Sequence, residues 1–288
     1  MTDSGLVRIG ELSRRSGVSP ELLRAWERRY DLLRPTRSAG GLRLYAPADL
    51  ERVRAMQRHL AEGLAAAEAA ALASRSAEPA LSALALDDLR HELEDALLAF
   101  DEPRAQTIVD SLLAAATLDT VLSKVVVPYL HELGEGWERG EVSVAQEHFA
   151  ASVLRGRLLG LARGWDRGLG PRVLLACAPG EQHDLGLICF GLALRERGWR
   201  IGYLGADTPI DSIASAALAY APEFLVLSAV TAERFRANAN ELRELAKTTR
   251  MCVGGAGAAA AGTGADTVAL TGDPVHEAER LTELSRPT

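Results

Sequence analysis

Five short apolar runs punctuate residues 171–288: Val173–Ala178, Ile201–Leu204, Phe224–Val230, Met251–Gly254 and Thr267–Leu270. One helical stretch separates each run from the next, which predicts a parallel, doubly wound α/β (Rossmann-like) sheet. In such sheets ligands sit outside the carboxyl ends of the strands. His183, Ser228 and the pair Gly254-Gly255 each follow a strand or end one, so they are expected to share one face.

The first loop of this region reads Glu181-Gln182-His183-Asp184-Leu185-Gly186, an E-x-H-x-x-G pattern. A His on a strand-to-helix loop is exposed and can offer a ring nitrogen to a metal. Gly186, three residues on, lets a bulky ligand approach the start of the next helix. A loop His by itself is more often a solvated surface group, and glycines end many strands. Three linked positions on one sheet face favour the metal reading.

The start of the chain has a different pattern. Ile9 and Leu12 sit at helical spacing, Ser16-Gly17-Val18 is a turn signal, and Ser19-Pro20 reads as an N-cap followed by the first helical position. The next helix is expected to turn Leu22, Leu23 and Trp26 inward and to carry Arg24, Arg28 and Arg29 on other faces. Two extended pieces flank Gly40-Gly41, a hairpin signal that predicts a basic wing, and a third helix runs from about Pro47 to near Gly63. This is a winged helix-turn-helix. Arg24, Arg28, Arg29, Arg34, Arg37 and Arg43 are candidate DNA contacts, because Arg pairs bidentately with phosphate or guanine. The alternative for any one of them is an ion pair with Glu27 or with the acidic body. Tyr30 and Tyr45 either touch phosphate or close the small core.

Between these regions, the Ala-rich stretch Leu64–Ala85 reads as a helix plus a linker containing Ser74, Ser76 and Pro79. Leu89, Leu93, Ala96, Leu97 and Phe100 then repeat at helical spacing, and Pro103, Leu118 and Ser143 are starts for three further helices. Four helices of this length predict a small bundle. The domains expected are 1–75, 87–165 and 171–288.

The chain has 288 residues and a formal charge of −7, so it is not basic as a whole. Residues 1–72 nevertheless hold 12 Arg against 9 Asp+Glu, while the remainder holds 20 Lys+Arg against 30 Asp+Glu. A basic head on an acidic body confines DNA contact to one end. Cys177, Cys189 and Cys252 form no C-x-x-C pair and read as small buried hydrophobes in a reducing compartment. Residues 1–20 carry no export signal and no apolar run reaches the roughly 20 residues of a membrane span. A cytoplasmic protein is expected.

Two resemblances join these observations. Residues 7–63 resemble the MerR family through L-R-x-W-E-R-R-Y at 23–30, R-P-x-R at 34–37 and G-L-R-L-Y at 41–45. That resemblance implies dimers on pseudo-palindromic operator DNA, contacted by the second helix and the wing. The C-terminal region resembles the cobalamin-binding domains of methionine synthase and the mutases. Their pattern is D/E-x-H-x-x-G, S-x-L and G-G; here Ser228-Ala229-Val230 replaces the Leu by Val. It implies that His183 ligates cobalt from below and that Glu181 holds the other ring nitrogen. Ser228, Gly254 and Gly255 would then line the slot for the cofactor's displaced base.

Trp137, nine residues and then Glu147-His148 form a pattern similar to light-responsive regulators of the CarH/LitR type. There these residues cover the upper face, where the adenosyl group of adenosylcobalamin binds. Some members have a His directly after this Trp; here it is Glu138, which removes that residue as a lit-state ligand. The resemblance implies a repressor that is not an enzyme, holds DNA as a dark homo-oligomer (a dimer of dimers) and releases it on light, with carotenoid or photoprotective genes as targets. A corrinoid methyl carrier or mutase subunit, and a light-insensitive cobalamin-binding regulator, are the alternatives.

Overall fold

The structure is a computed structural model, and it describes residues 7–33, 35–37, 42–75, 83–261 and 267–285. The chain divides into two compact units. One comprises the segment up to Leu86 together with Ser111–Thr117; the other comprises Asp87–Asp110 and Leu118 onward.

In the first unit, α1 (Ile9–Ser16) ends at Gly17, whose φ of 71° supplies the left-handed cap. The helix α2 (Pro20–Tyr30) starts as expected, with the Ser19 hydroxyl accepting from Leu22 N and Pro at the first turn. Leu23 and Trp26 are buried, but Leu22 is exposed, contrary to the sequence expectation. Adjacent helical positions point about 100° apart, so Leu22 falls outside the buried stripe. The strands β1 (Thr36–Arg37) and β2 (Arg43–Leu44) pair antiparallel, and Val7 bridges Tyr45. Arg34, Gly40, Gly41, Ser76 and Pro79 lie outside the described residues, as does the Arg37 side chain. Next come α3 (Pro47–Ala61) and α4 (Ala66–Arg75). Leu12, Leu23, Trp26, Val53, Met56 and Ala70 are among the residues that close this unit's core.

Most of α5 (Ala83–Leu98) and of α6 (Glu102–Ala115) lies in the second unit. The helix α7 (Leu118–Val121) passes through a π-type turn, Leu122–Val126, into α8 (Val127–Glu138). The helix α9 (Val144–Leu161) follows, with Ser143 and Gln146 forming a reciprocal capping box. Ion pairs Arg90–Glu132 and Arg157–Asp110 and the edge-on pair Phe100–Phe149 tie these helices into a bundle.

The sheet consists of β3 (Arg172–Cys177), β4 (Arg200–Gly205), β5 (Phe224–Ser228), β6 (Met251–Gly254) and β7 (Thr267–Leu270). All pairs are parallel, in the order β4-β3-β5-β6-β7. The helices α10 (Leu185–Glu196) and α11 (Ile210–Tyr220) each form one crossover, α12 (Ala232–Ala237) and α13 (Ala239–Ala246) share the next, and α14 (Pro274–Ser285) follows β7. Between β6 and β7 the described residues form a 3₁₀ turn, Ala256–Ala260, where the sequence pattern predicts a helix. Residues 174, 176, 225, 227, 251 and 253 face one core, packed on Ile213, Ala217, Leu242 and Leu245. Burial on both faces is why these strands read as continuous apolar runs. The strand order reverses between β3 and β5, where such sheets form their binding crevice. Cys177, Ser228, Gly254 and Leu270 stand in register across the carboxyl edge. Among the described residues, no helix is long and apolar enough to cross a membrane.

Candidate functional site

His183 lies on the loop after β3, at the reversal point of the sheet. Its side chain is 71% exposed, and its Nδ1 stands 2.6 Å from Glu181 Oε1. The same oxygen accepts from His183 N at 2.9 Å, and Oε2 accepts from Val230 N, just past β5, at 2.8 Å. Glu181 is buried. Burial opposes its charge, yet the two backbone N–H donors and the imidazole outweigh it and hold the carboxyl below its usual range. This contact orients the ring and leaves Nε2 as the nitrogen facing outward for a ligand.

Asp184 belongs to the same loop and has no role assigned from the sequence. It is buried and accepts from Arg155 Nε and Nη2 at 2.7–3.0 Å and from Tyr203 Oη at 2.6 Å. Burial and the Asp184 carboxylate push the Tyr203 phenol far above its ordinary value. The charge on Asp184 was visible in the sequence, but its partners sit on α9 and β4 and were not.

Ser228 and Gly254 lie side by side in the β5–β6 register, with Gly255 following. Gly255 has φ of 84°, and a Cβ there would lie 2.5 Å from Ala229 O and 3.1 Å from Ser228 Oγ. Its lack of a side chain is therefore demanded by the protein's own backbone. At Gly254 a Cβ meets nothing nearer than 3.8 Å, and at Gly186 nothing within 4 Å, so the first turn of α10 is open to a bulky group. Among the described residues no three His, Cys, Asp or Glu side chains converge on a common point. A single outward imidazole beside an open helix start and a glycine-lined strand edge fits a metal whose remaining donors come from its own macrocycle. The residues present therefore fit a corrinoid.

Trp137 lies in the last turn of α8, Glu147 and His148 in the first turns of α9, so the spaced pattern brackets one helix–helix turn. That turn is tight: Glu141 N and Val142 N both donate to Gly136 O, and a Cβ on Gly136 would come within 2.9 Å of Val142. Trp137 is 51% exposed, an uncommon state for a large aromatic. His148 is exposed and 3.5 Å from Glu147, which is half-buried. The three cysteines are buried, and desolvation pushes each thiol up to about 12.

In the first unit, Arg24, Arg28 and Arg29 are exposed on α2, and the Arg29 guanidinium lies 5.6 Å from the half-buried Tyr30 ring. Arg8, Arg24, Leu42 and Arg43 line a surface cleft beside Tyr45. Arg8, which precedes α1, is not among the sequence-derived candidates. Arg43 is exposed but pairs with Glu27 at 3.1 Å. Tyr45 is a correction as a DNA contact: it is fully buried, and its hydroxyl donates to Glu27 Oε2 at 2.8 Å. Burial and that carboxylate raise the phenol to about 12. Tyr45 thus fastens the wing to the recognition helix.

Comparison with known proteins agrees with both halves. Residues 7–76 match the MerR HTH family regulatory proteins, and residues 89–159 and 171–278 each match a B12 binding domain. The chain is 35% identical over 266 residues to the HTH-type transcriptional repressor CarH of Myxococcus xanthus, covering 87% of this chain and 89% of that one. It is 32% identical over 258 residues to the repressor CarA of the same organism, covering 88% and 87% respectively. The monomethylamine corrinoid protein of Methanosarcina barkeri superposes with a TM-score of 0.55 at 16% identity, over 69% of this chain and 99% of that one, a likeness of fold. With a MerR-type head and two B12-binding domains on one chain, the protein belongs to the family of MerR-type transcriptional repressors that includes CarH and CarA.

Proposed function

We propose that this protein is an adenosylcobalamin-dependent, light-responsive transcriptional repressor that binds operator DNA as a dark homo-oligomer. The observation that carries the reading is the outward imidazole of His183, held by buried Glu181 at the strand-order reversal. When bound, adenosylcobalamin supplies a cobalt–carbon bond that light breaks, chemistry that belongs to the cofactor. His183 Nε2 would be the protein's donor to the cobalt, with Glu181 keeping the ring in the tautomer that leaves this nitrogen free. Ser228, Gly254 and Gly255 would hold the nucleotide tail of the cofactor along the carboxyl edge of the sheet. Trp137, with Glu147 and His148, would hold the adenosyl group, and contacts made by this turn would favour a closed dark state. Loss of those contacts shifts the population away from it. Several linked heads raise apparent DNA affinity by an estimated ~10²–10⁴-fold through effective concentration. Carotenoid or photoprotective genes are the proposed targets, and no catalytic turnover is assigned.

The test is size-exclusion chromatography with in-line absorbance on the adenosylcobalamin-loaded chain, in the dark and after green light. Corrin co-eluting with a large dark species that shrinks on illumination is the expected outcome. Co-elution at one unchanging size removes light from the reading, and no co-elution removes His183 from cobalt. The same loop chemistry suits a corrinoid methyl carrier, which the DNA-binding head disfavours. Methyl transfer from the loaded chain to a thiol would reverse that preference.

A further inference from the structure

The His183 loop carries two buried carboxylates, Glu181 and Asp184, that serve different elements. Glu181 is spent on His183 itself and on the backbone beyond β5. Asp184 occupies the N-cap of α10, where an Asp side chain ordinarily accepts from the first helical N–H groups. Here it makes no capping bond. Both its oxygens go instead to Arg155 on α9, with Tyr203 Oη as the additional donor. Tyr203 in turn stands edge-on to Trp165, centroids 5.6 Å apart, just past the end of α9. Trp165 also packs on α10, where a Cβ on Gly191 would come within 2.9 Å of the indole. The loop is therefore held to α9 by charge, and the Tyr203 that shares Asp184 is itself packed by Trp165.

The helix α9 also carries Glu147 and His148 in its first turns. Arg155 follows Glu147 by about 12 Å along the axis, two turns of helix. We propose that Arg155 is a positioning residue: through Asp184 it fixes the His183 loop against α9, and so ties the lower cobalt ligand to the helix that carries the upper-face residues. This rests on the reading of His183 as that ligand. Without the guanidinium, the buried Asp184 carboxylate keeps only one neutral donor, a costly state in a desolvated site. A second ion pair supplies a control. Asp119 of α7 meets Arg197, the C-cap of α10, at 3.0 Å, and touches no residue of the His183 loop.

The experiment measures amide hydrogen exchange on the cofactor-free full chain, in wild type, Arg155→Met, Arg155→Lys and Asp119→Asn. Arg155→Met is expected to speed exchange over residues 181–188 by about tenfold or more, the size of a lost charged hydrogen bond. Arg155→Lys retains charge but not the two-pronged geometry, and is expected to fall between. Asp119→Asn is expected to leave that segment at the wild-type rate. After loading with adenosylcobalamin in the dark, Arg155→Met is expected to show a mixed spectrum with part of the cobalt free of imidazole, while Asp119→Asn keeps the wild-type spectrum. Should Arg155→Met fail to fold, Arg155→Met/Asp184→Asn removes the stranded charge and is expected to show the same fast loop and mixed spectrum. Unchanged loop exchange without Arg155, or equal acceleration in Asp119→Asn, overturns the proposal. A wild-type chain that takes up the cofactor without imidazole ligation overturns the reading of His183 instead, whatever the exchange rates show.

Discussion

The His183 ring is largely solvent-exposed, yet one edge is tied to a buried carboxylate. The loop pays for this with a desolvated charge, which three hydrogen bonds to Glu181 offset. Because the imidazole is one of the three donors to the buried Glu181 carboxylate, His183→Ala is expected to cost about 1–3 kcal/mol of stability by thermal unfolding. It is expected to abolish the imidazole-ligated corrin spectrum and weaken cofactor retention; retained binding with an unaltered spectrum would exclude His183 as the ligand. At Gly255 the constraint is one of backbone instead. Its positive φ and the 2.5 Å approach to Ala229 O make Gly255→Ala costly, about 2 kcal/mol or more by thermal unfolding. An unaltered melting temperature would show that the β6 end relaxes freely. At this scale the sequence disclosed residue types and spacing, and so named His183, Glu181 and Gly255. It could not disclose Asp184–Arg155, because the partners are 29 positions apart on elements whose packing is non-local.

Among the elements, the turn between α8 and α9 is the most exposed part of the candidate site. Trp137 sits on it half in solvent, anchored by backbone bonds to Gly136 O and by the Ser143–Gln146 capping box. Trp137→Ala is expected to bind adenosylcobalamin with near-native thermal stability, since the indole has little protein packing to lose. Its dark oligomer is expected to be largely lost on size-exclusion chromatography; a normal dark oligomer would show that coupling runs elsewhere. The starts of α2 and α9 were legible at Ser19-Pro20 and Ser143, because caps and prolines act within one turn. The outward position of Leu22 and the burial of Tyr45 were not, since both depend on which helix face the neighbouring elements cover.

Over the whole molecule, charge divides the labour. The head carries its excess of Arg on α2 and beside the wing, while the rest of the chain is acidic. Arg28 is exposed and bonds only weakly to Arg24 O at 3.4 Å, so its guanidinium is available to phosphate. Arg28→Ala is expected to weaken operator and non-specific binding alike and to reduce the slope of log K against log salt by about one. An unchanged slope would place Arg28 outside the interface. Arg43 already neutralises Glu27, so part of its charge is spent within the protein.

The sequence by itself determined the five strands and their parallel arrangement, the winged helix-turn-helix head with its basic excess, and the place of the His183 loop at a strand end. Each follows from local periodicity, capping chemistry or composition, which a linear chain records directly. Only the tertiary structure decided that Tyr45 serves the wing from within the core, that Gly255 answers to Ala229, and that Asp184 belongs to α9. These depend on burial and on contacts between distant segments. Such contacts come into being only when the strands register and the helices pack.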